Sequence, residues 1–185
     1  MIAIMSPLIQ RLLALADREL ELAPGQTLFR TGDAVRHVHV VLEGSVRLVR
    51  HQASGVAVVL QRAQAGQWLA EASLFAARYH CDAVSDEGAR LARIDKARLA
   101  QAQREDGRWA MELAGHLAGE VQRARARAEL LALRTVRERL DAWRALHGDL
   151  PARGRWVALA QEIGVTPEAL YRELARTPGR TEPRA

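Results

Sequence analysis

Arg172 stands four residues after Glu168 and four before Arg176, behind a Gly164-Val165-Thr166-Pro167 turn. A guanidinium can donate two parallel hydrogen bonds to guanine O6 and N7, and a carboxylate can accept from cytosine N4. Each such contact gives about 1–3 kcal/mol of base discrimination in a DNA major groove. Further forward, His37-x-His39-x3-Glu43 puts two imidazoles and a carboxylate on one face of any strand, a donor set that suits iron, manganese or zinc. Between these two groups lie Glu71 and the run His80-Cys81-Asp82. An imidazole beside a thiol can ligate haem or respond to oxidation, but the single cysteine cannot close an internal disulfide.

The elements that must carry these residues change character along the chain. Leu8, Leu12, Leu13, Leu15 and Ala16 predict a short amphipathic helix over residues 8–18. From Leu20 to Ile94, Gly32, Gly44, Gly55 and Gly66 recur every 11 or 12 residues between short apolar runs, as in a sandwich or barrel. The predicted strands are Val38–Leu42, Ser45–Arg50, Val56–Arg62 and Ala89–Ile94. After Asp95, a predicted helix cap, Ala, Leu, Arg and Glu dominate, and Asp106-Gly107 predicts a break.

Trp109, Leu113, Leu117, Val121, Ala124, Ala128 and Leu131 then form one apolar stripe on a helix over about 107–131, with Gly115 and Gly119 beside it. Such a stripe can pair two helices as a coiled coil or pack on the barrel, and both can hold along different parts of it. A further helix over about Leu133–Leu146 ends at Gly148. The segment Trp156–Leu174 reads as helix, tight turn, helix: Gly164 ends the first helix as the left-handed residue, Thr166 caps the second with Pro167 in its first turn, and Leu159, Ile163, Leu170 and Leu174 lock the pair together.

Hydrophobic residues at 49% and charged residues at 26% are ordinary globular usage. The net charge is +5, and Lys96 is the only lysine among the 27 basic residues, so the positive charge is almost all guanidinium. That favours a polyanionic partner. One cysteine fits a reducing compartment. The N-terminal stretch lacks the pattern of a signal peptide, and no apolar run approaches the ~20 residues that span a bilayer, so a cytoplasmic protein without membrane contact is expected.

Leu22-x2-Gly25-x2-Leu28-Phe29-x2-Gly32-Asp33, Val38-His39-Val40-Val41-Leu42-Glu43-Gly44-Ser45-Val46-Arg47-Leu48, Gly66-x4-Glu71-x2-Leu74-Phe75 and the C-terminal segment follow one another in an order that resembles the cyclic-AMP receptor protein and fumarate-nitrate reduction regulator (Crp/Fnr) superfamily of bacterial transcription factors. The resemblance covers roughly residues 18–177. It implies an α+β chain with a cyclic-nucleotide-binding-type β-roll (a jelly roll), a long dimerisation helix and a C-terminal helix-turn-helix. Domains of 1–131 and 132–185 are expected. The implied dimer interface is Trp109, Leu113, Leu117, Val121, Ala124 and Ala128. The implied DNA-binding set is Thr166, Glu168, Ala169, Arg172 and Arg176, and the implied effector pocket is Trp68, Ala70, Glu71, His80, Cys81 and Asp82. Double-stranded DNA with a near-palindromic operator, a second copy of the chain, RNA polymerase and an unknown small-molecule effector are the implied partners.

Two departures qualify this resemblance. Cyclic-nucleotide binders of the superfamily read glycine-glutamate and, about ten residues later, arginine followed by serine or threonine, which hold the cyclic phosphate. Here Ala70-Glu71 precedes Cys81-Asp82, so a carboxylate faces where a phosphate would lie and its bidentate partner is missing. Cyclic AMP is therefore not expected to bind in the usual way, and no haem or metal is expected. The second departure is the tail Thr177–Ala185, too short for the two-stranded wing that normally follows the recognition helix.

The rival readings are a dimeric sensor or interaction module that has lost DNA binding and, through His37, His39 and Glu43, an enzyme resembling the cupins. The cupin reading lacks a second histidine motif, and His39 falls where the superfamily commonly has an aromatic packing residue. No phosphate loop or nucleophile elbow is present, and a regulator rather than an enzyme is expected.

Overall fold

A computed structural model describes residues 6–53 and 57–176 of the chain. Gly55, Val56 and the tail from Thr177 lie outside the described residues. The chain divides into two compact units, 1–117 and 118–185.

In the first unit, helix α1 (Pro7–Ala14) is followed by strands β1 (Arg18–Leu22), β2 (Thr27–Phe29), β3 (His37–His51), β4 (Ala57–Gln64), β5 (Trp68–Leu69) and β6 (Asp82–Asp95), and then by α2 (Lys96–Glu105). All pairings are antiparallel, in the order β1-β6-β3-β4, with β2 also on β6 and β5 also on β3. Helix α1 is capped by Ser6 Oγ, which accepts from the Ile9 N–H at 3.4 Å, and starts on Pro7. It ends four residues before the predicted Arg18, because the Asp17 N–H donates to the Arg93 carbonyl and Arg18 pairs with Arg93 at the start of β1. Helical periodicity there yields to a sheet edge that needs pairing.

The two predicted strands Val38–Leu42 and Ser45–Arg50 are halves of the single 15-residue β3, and Ala89–Ile94 is the second half of β6. Gly44 and Gly88 are not turns between strands. Each has positive φ (74° and 104°) inside a continuous strand, where β3 and β6 bend past each other with register shifts on either side of Gly44. A Cβ on Gly44 would overlap the Gly88 carbonyl oxygen. The glycines therefore permit a close backbone crossing with bulges, and the bend lets two long strands curl into a roll.

The bend sorts side chains to two sides. Leu22, Phe29, Val41, Val46, Leu48, Leu69, Cys81 and Leu91 fill the roll. Val38, Val40, Trp68 and Ile94 instead pack against Leu8, Leu12, Leu99, Trp109 and Leu113 on the helices. Asp95 caps α2 as expected, accepting from Ala97 and Arg98 N–H at 2.8 and 3.0 Å. Arg11 then ties α1 to the segment beyond α2, donating to Asp106 (2.8 Å) and Glu112 (3.1 Å) with its guanidinium 4.3 Å from the Trp109 ring centre.

Helix α3 (Arg108–Ala132) crosses the division between the units. The second unit continues with α4 (Val136–His147), α5 (Trp156–Glu162) and α6 (Pro167–Arg176). α4 begins three residues later than its apolar pattern suggests. Thr135 and Glu138 form a reciprocal capping box that fixes its first turn. Leu130, Leu140, Trp143, Leu159, Ile163 and Leu170 make the core of this unit.

Gly44→Ala should destabilise the first unit by several kcal/mol, on the order of 3 or more, because it adds left-handed strain to a backbone collision that no side-chain rotation relieves. Urea unfolding followed by circular dichroism measures this, and a midpoint equal to wild type would contradict the crossing.

Candidate functional site

The α5–α6 segment is built by local chemistry. Gly164 takes φ 66°, Thr166 Oγ1 accepts from the Ala169 N–H at 3.2 Å, and Pro167 occupies the first turn where no N–H is needed. Leu170 is fully buried and Leu174 packs beside it, so the opposite face of α6 looks outward. Thr166, Glu168, Arg172 and Arg176 are exposed and Ala169 is half-buried. Four-residue steps put Glu168, Arg172 and Arg176 in one line along the helix. Hydrogen bonds from its own backbone N–H and from the Thr166 side chain, with Arg172 nearby, hold the Glu168 carboxyl below the usual range. The five residues predicted for base and phosphate contacts thus share one surface.

The residues predicted for the effector pocket do not all converge. Trp68 lies on the helix side of the sheet, stacked on His116 with ring centres 5.7 Å apart, whereas its neighbours Leu69 and Ala70 belong to the interior of the roll. Ala70 holds a left-handed φ of 59°, the only non-glycine residue to do so among those described. It leads into a single 3₁₀ turn, Glu71–Ser73. Gln61 on β4, which sequence reasoning missed, secures this turn: its Oε1 accepts from the Ala70 N–H (3.3 Å) and its Nε2 donates to Glu71 Oε2 (2.9 Å).

At the end of the turn, Ser73 Oγ lies 3.3 Å from Nδ1 of the exposed His80. Cys81 is completely buried in the roll, and burial pushes its thiol pKa up. Asp82 is turned to the β2 side: its Oδ1 accepts from the Thr31 N–H (2.7 Å) and Thr31 Oγ1 (3.0 Å). Those bonds, aided by His51 and Arg30, keep its carboxyl below the usual range.

His37, His39 and Glu43 do not meet as a ligand set. The register shift between Val41 and Glu43 breaks the alternation that would align them, and Glu43 is exposed in an ion pair with Arg90. Among the described residues, no three His, Cys, Asp or Glu side chains are grouped to hold a metal ion. His39 is buried beside the Phe29 ring, and its Nδ1 has no hydrogen-bond partner. Desolvation, with smaller contributions from His37 and Arg93 opposed by Asp17, pushes its pKa down to about 4.

The stripe on α3 divides. Trp109 and Leu113 are buried and Leu117 half-buried in the helix side of the first unit's core. Val121, Ala124 and Ala128 are exposed.

Residues 19–106, from β1 to the end of α2, match the profile of the cyclic nucleotide-binding domain. The match spans 88 of the 185 residues and is a likeness to that domain. The fold of most of the chain recurs in solved regulators. FixK2 from Bradyrhizobium japonicum superposes with a TM-score of 0.71 at 20% identity, over 86% of this chain and 83% of its own. CLP from Xanthomonas campestris, a c-di-GMP-responsive global regulator, gives 0.67 at 22% identity over 91% and 89%. A CRP-family transcriptional regulator from Thermus thermophilus gives 0.63 at 21% over 85% and 83%. No curated protein sequence matches the chain significantly. At these identities the likeness to this chain is one of fold.

Neither of the two residues expected at the phosphate-binding positions carries a positive charge. Cys81 offers a buried neutral thiol, and Asp82 an ionised carboxylate already committed to Thr31. Among the described residues no helix is long and apolar enough to cross a membrane.

The buried His39 makes stability depend on pH. Its folded-state pKa lies below the ordinary value near 6.5, so the unfolded chain binds more protons between the two. The contribution is complete above about pH 6.5 and is lost as pH falls towards 4, on the order of 3 kcal/mol in all. His39→Phe should flatten this slope in urea midpoints measured from about pH 4.5 to 7. A slope unchanged from wild type would refute the assignment.

Proposed function

We propose that the chain is a homodimeric, DNA-binding transcription regulator of the Crp/Fnr type. The observation that carries the reading is α6, whose capped N-terminus and buried Leu170 leave Thr166, Glu168, Ala169, Arg172 and Arg176 facing outward as one surface. Such a helix fits the major groove with its N-terminal residues at the base edges. The likeness of fold to regulators supports the same reading.

Two copies pair through the exposed Val121, Ala124 and Ala128 portion of α3, and two α6 helices then read half-sites about 34 Å apart on a near-palindromic operator. The implied interface also includes Trp109, Leu113 and Leu117, which pack in the first unit of their own chain. RNA polymerase is the further protein partner of such a regulator. The barrel does not take cyclic AMP in the usual way, because Cys81 and Asp82 replace the phosphate clamp. Any effector it does bind acts through differential affinity for two arrangements of the dimer.

Selection of bound fragments from random double-stranded DNA tests this reading directly. Enrichment of a near-palindrome is expected, with affinity that falls steeply with salt. Failure to enrich any sequence would leave only the sensor role. On the selected site, Arg172→Ala should lose about 10- to 100-fold of discrimination at one base position per half-site, the size of one bidentate contact. Full specificity in that variant would remove Arg172 from the groove. Titration calorimetry with cyclic AMP in the low micromolar range should give no binding heat, and a clear isotherm would overturn the statement about the phosphate clamp.

A further inference from the structure

One side chain joins the end of α3 to the turn before α6. Arg139, on α4, donates from Nε to the Leu133 carbonyl (2.9 Å), from Nη2 to Leu131 (3.0 Å), and from Nη1 to Gly164 (2.8 Å) and Ile163 (3.2 Å). The first two acceptors close the C-terminal end of α3, and the last two close that of α5. Helix C-termini leave carbonyls without intrahelical partners and carry partial negative charge. A single cation between two such ends satisfies both. The geometry requires arginine, because four carbonyls in two directions match a planar fork of five donors and not a lysine ammonium.

Two further features seat the joint. Gly164 is left-handed, and a Cβ there would fall 2.5 Å from Leu131 Cδ2 and 3.2 Å from Arg139 Nη1, so the turn backbone lies directly on the end of α3. The Thr135–Glu138 capping box fixes where α4 starts, with Thr135 Oγ1 accepting from the Glu138 N–H at 3.1 Å and Glu138 Oε2 accepting from the Thr135 N–H at 2.9 Å. This sets the reach of Arg139 one residue later.

We propose that Arg139 is a positioning residue that clasps α6 to the C-terminal part of α3, so that the helix bearing Val121, Ala124 and Ala128 and the helix bearing Arg172 move as one body. The consequence for operator recognition rests on the DNA-binding reading above, whereas the clasp itself concerns the pose of α6 with or without DNA. A fixed pose sets the spacing of two paired recognition helices, and a change in the direction of α3 is then passed to α6 without slack.

The test uses the full chain carrying Cys81→Ala, with spin labels attached at Arg125→Cys and Ala175→Cys. Labelled protein is diluted with unlabelled protein so that only distances within one chain are read, without DNA. The chain with Arg139 should give one narrow distance distribution, and Arg139→Met a broadened or split one at unchanged helix content by circular dichroism. A narrow distribution in Arg139→Met overturns the clasp. If Arg139→Met loses helix content, Arg139→Lys decides, since it keeps the charge without the fork: broadening supports the clasp and wild-type width overturns it. On the selected operator, Arg139→Met should weaken binding about tenfold or more while binding to unrelated duplex stays unchanged, a separation that loss of fold would not produce. If no operator can be selected yet the distribution still broadens on substitution, the DNA reading fails and the clasp stands. An operator bound by wild type together with a narrow Arg139→Met distribution sustains the DNA reading and removes the clasp.

Discussion

The crossing of β3 and β6 at Gly44 and Gly88 is the constraint from which the first unit is built. Paired along most of their length without a bend, these two strands would continue as one long twisted ribbon. Bent at facing glycines, they close the roll around Val41, Val46, Leu48 and Leu91 and leave Val38, Val40 and Ile94 on the outside. The outer set must itself be covered, and α1, α2 and the start of α3 supply the cover through Leu8, Leu12, Leu99, Trp109 and Leu113. The helices are in this sense a consequence of the bend.

The same bend places the polar groups. Asp86, two residues before Gly88, is mostly buried and accepts from Ser45 (2.8 Å) while paired with Arg62 and, at 3.4 Å, Arg47. Arg90, two residues after Gly88, pairs with Glu19 (2.7 Å) and with Glu43. Each side of the crossing is thus flanked by an ion-pair cluster. Glu43 is drawn into one of these clusters, which removes it from His37 and His39. A motif that satisfied the alternation rule on paper fails because the strand is bulged between Val41 and Glu43.

What was legible in the sequence is what local chemistry decides. The Asp95 cap, the Asp106-Gly107 break and the Gly164-Thr166-Pro167 turn depend on residues within one helical turn of one another, and each stands where those residues place it. What was not legible depends on partners far along the chain. Gly44 looks like a turn glycine until it is seen to oppose Gly88 across 44 residues of sequence. Gln61 gives no signal as the support of Ala70 and Glu71, because a glutamine in an apolar strand has no local reason to be there. Trp68 passes for a pocket residue by its nearness to Glu71, but a two-residue strand sends neighbouring side chains to opposite faces. Arg139 sits among the other arginines of its helix and is distinguished only by the two helix ends that happen to meet it.

Arginine usage ties these points together and qualifies the argument from net charge. With one lysine among 27 basic residues, the chain uses guanidinium for nearly every positive charge. Many of these groups are spent inside the chain. Arg11 joins α1 to Asp106 and Glu112, Arg90 and Arg93 pair with carboxylates on or beside β1 and β3, and Arg139 holds carbonyls. Such roles call for a planar fork that makes several hydrogen bonds at once, and they explain the preference for arginine without any nucleic acid. Net charge alone is therefore a weak pointer to a polyanion. The stronger pointer is local: Arg172 and Arg176 lie exposed on one line of a capped helix whose other face is locked by Leu170.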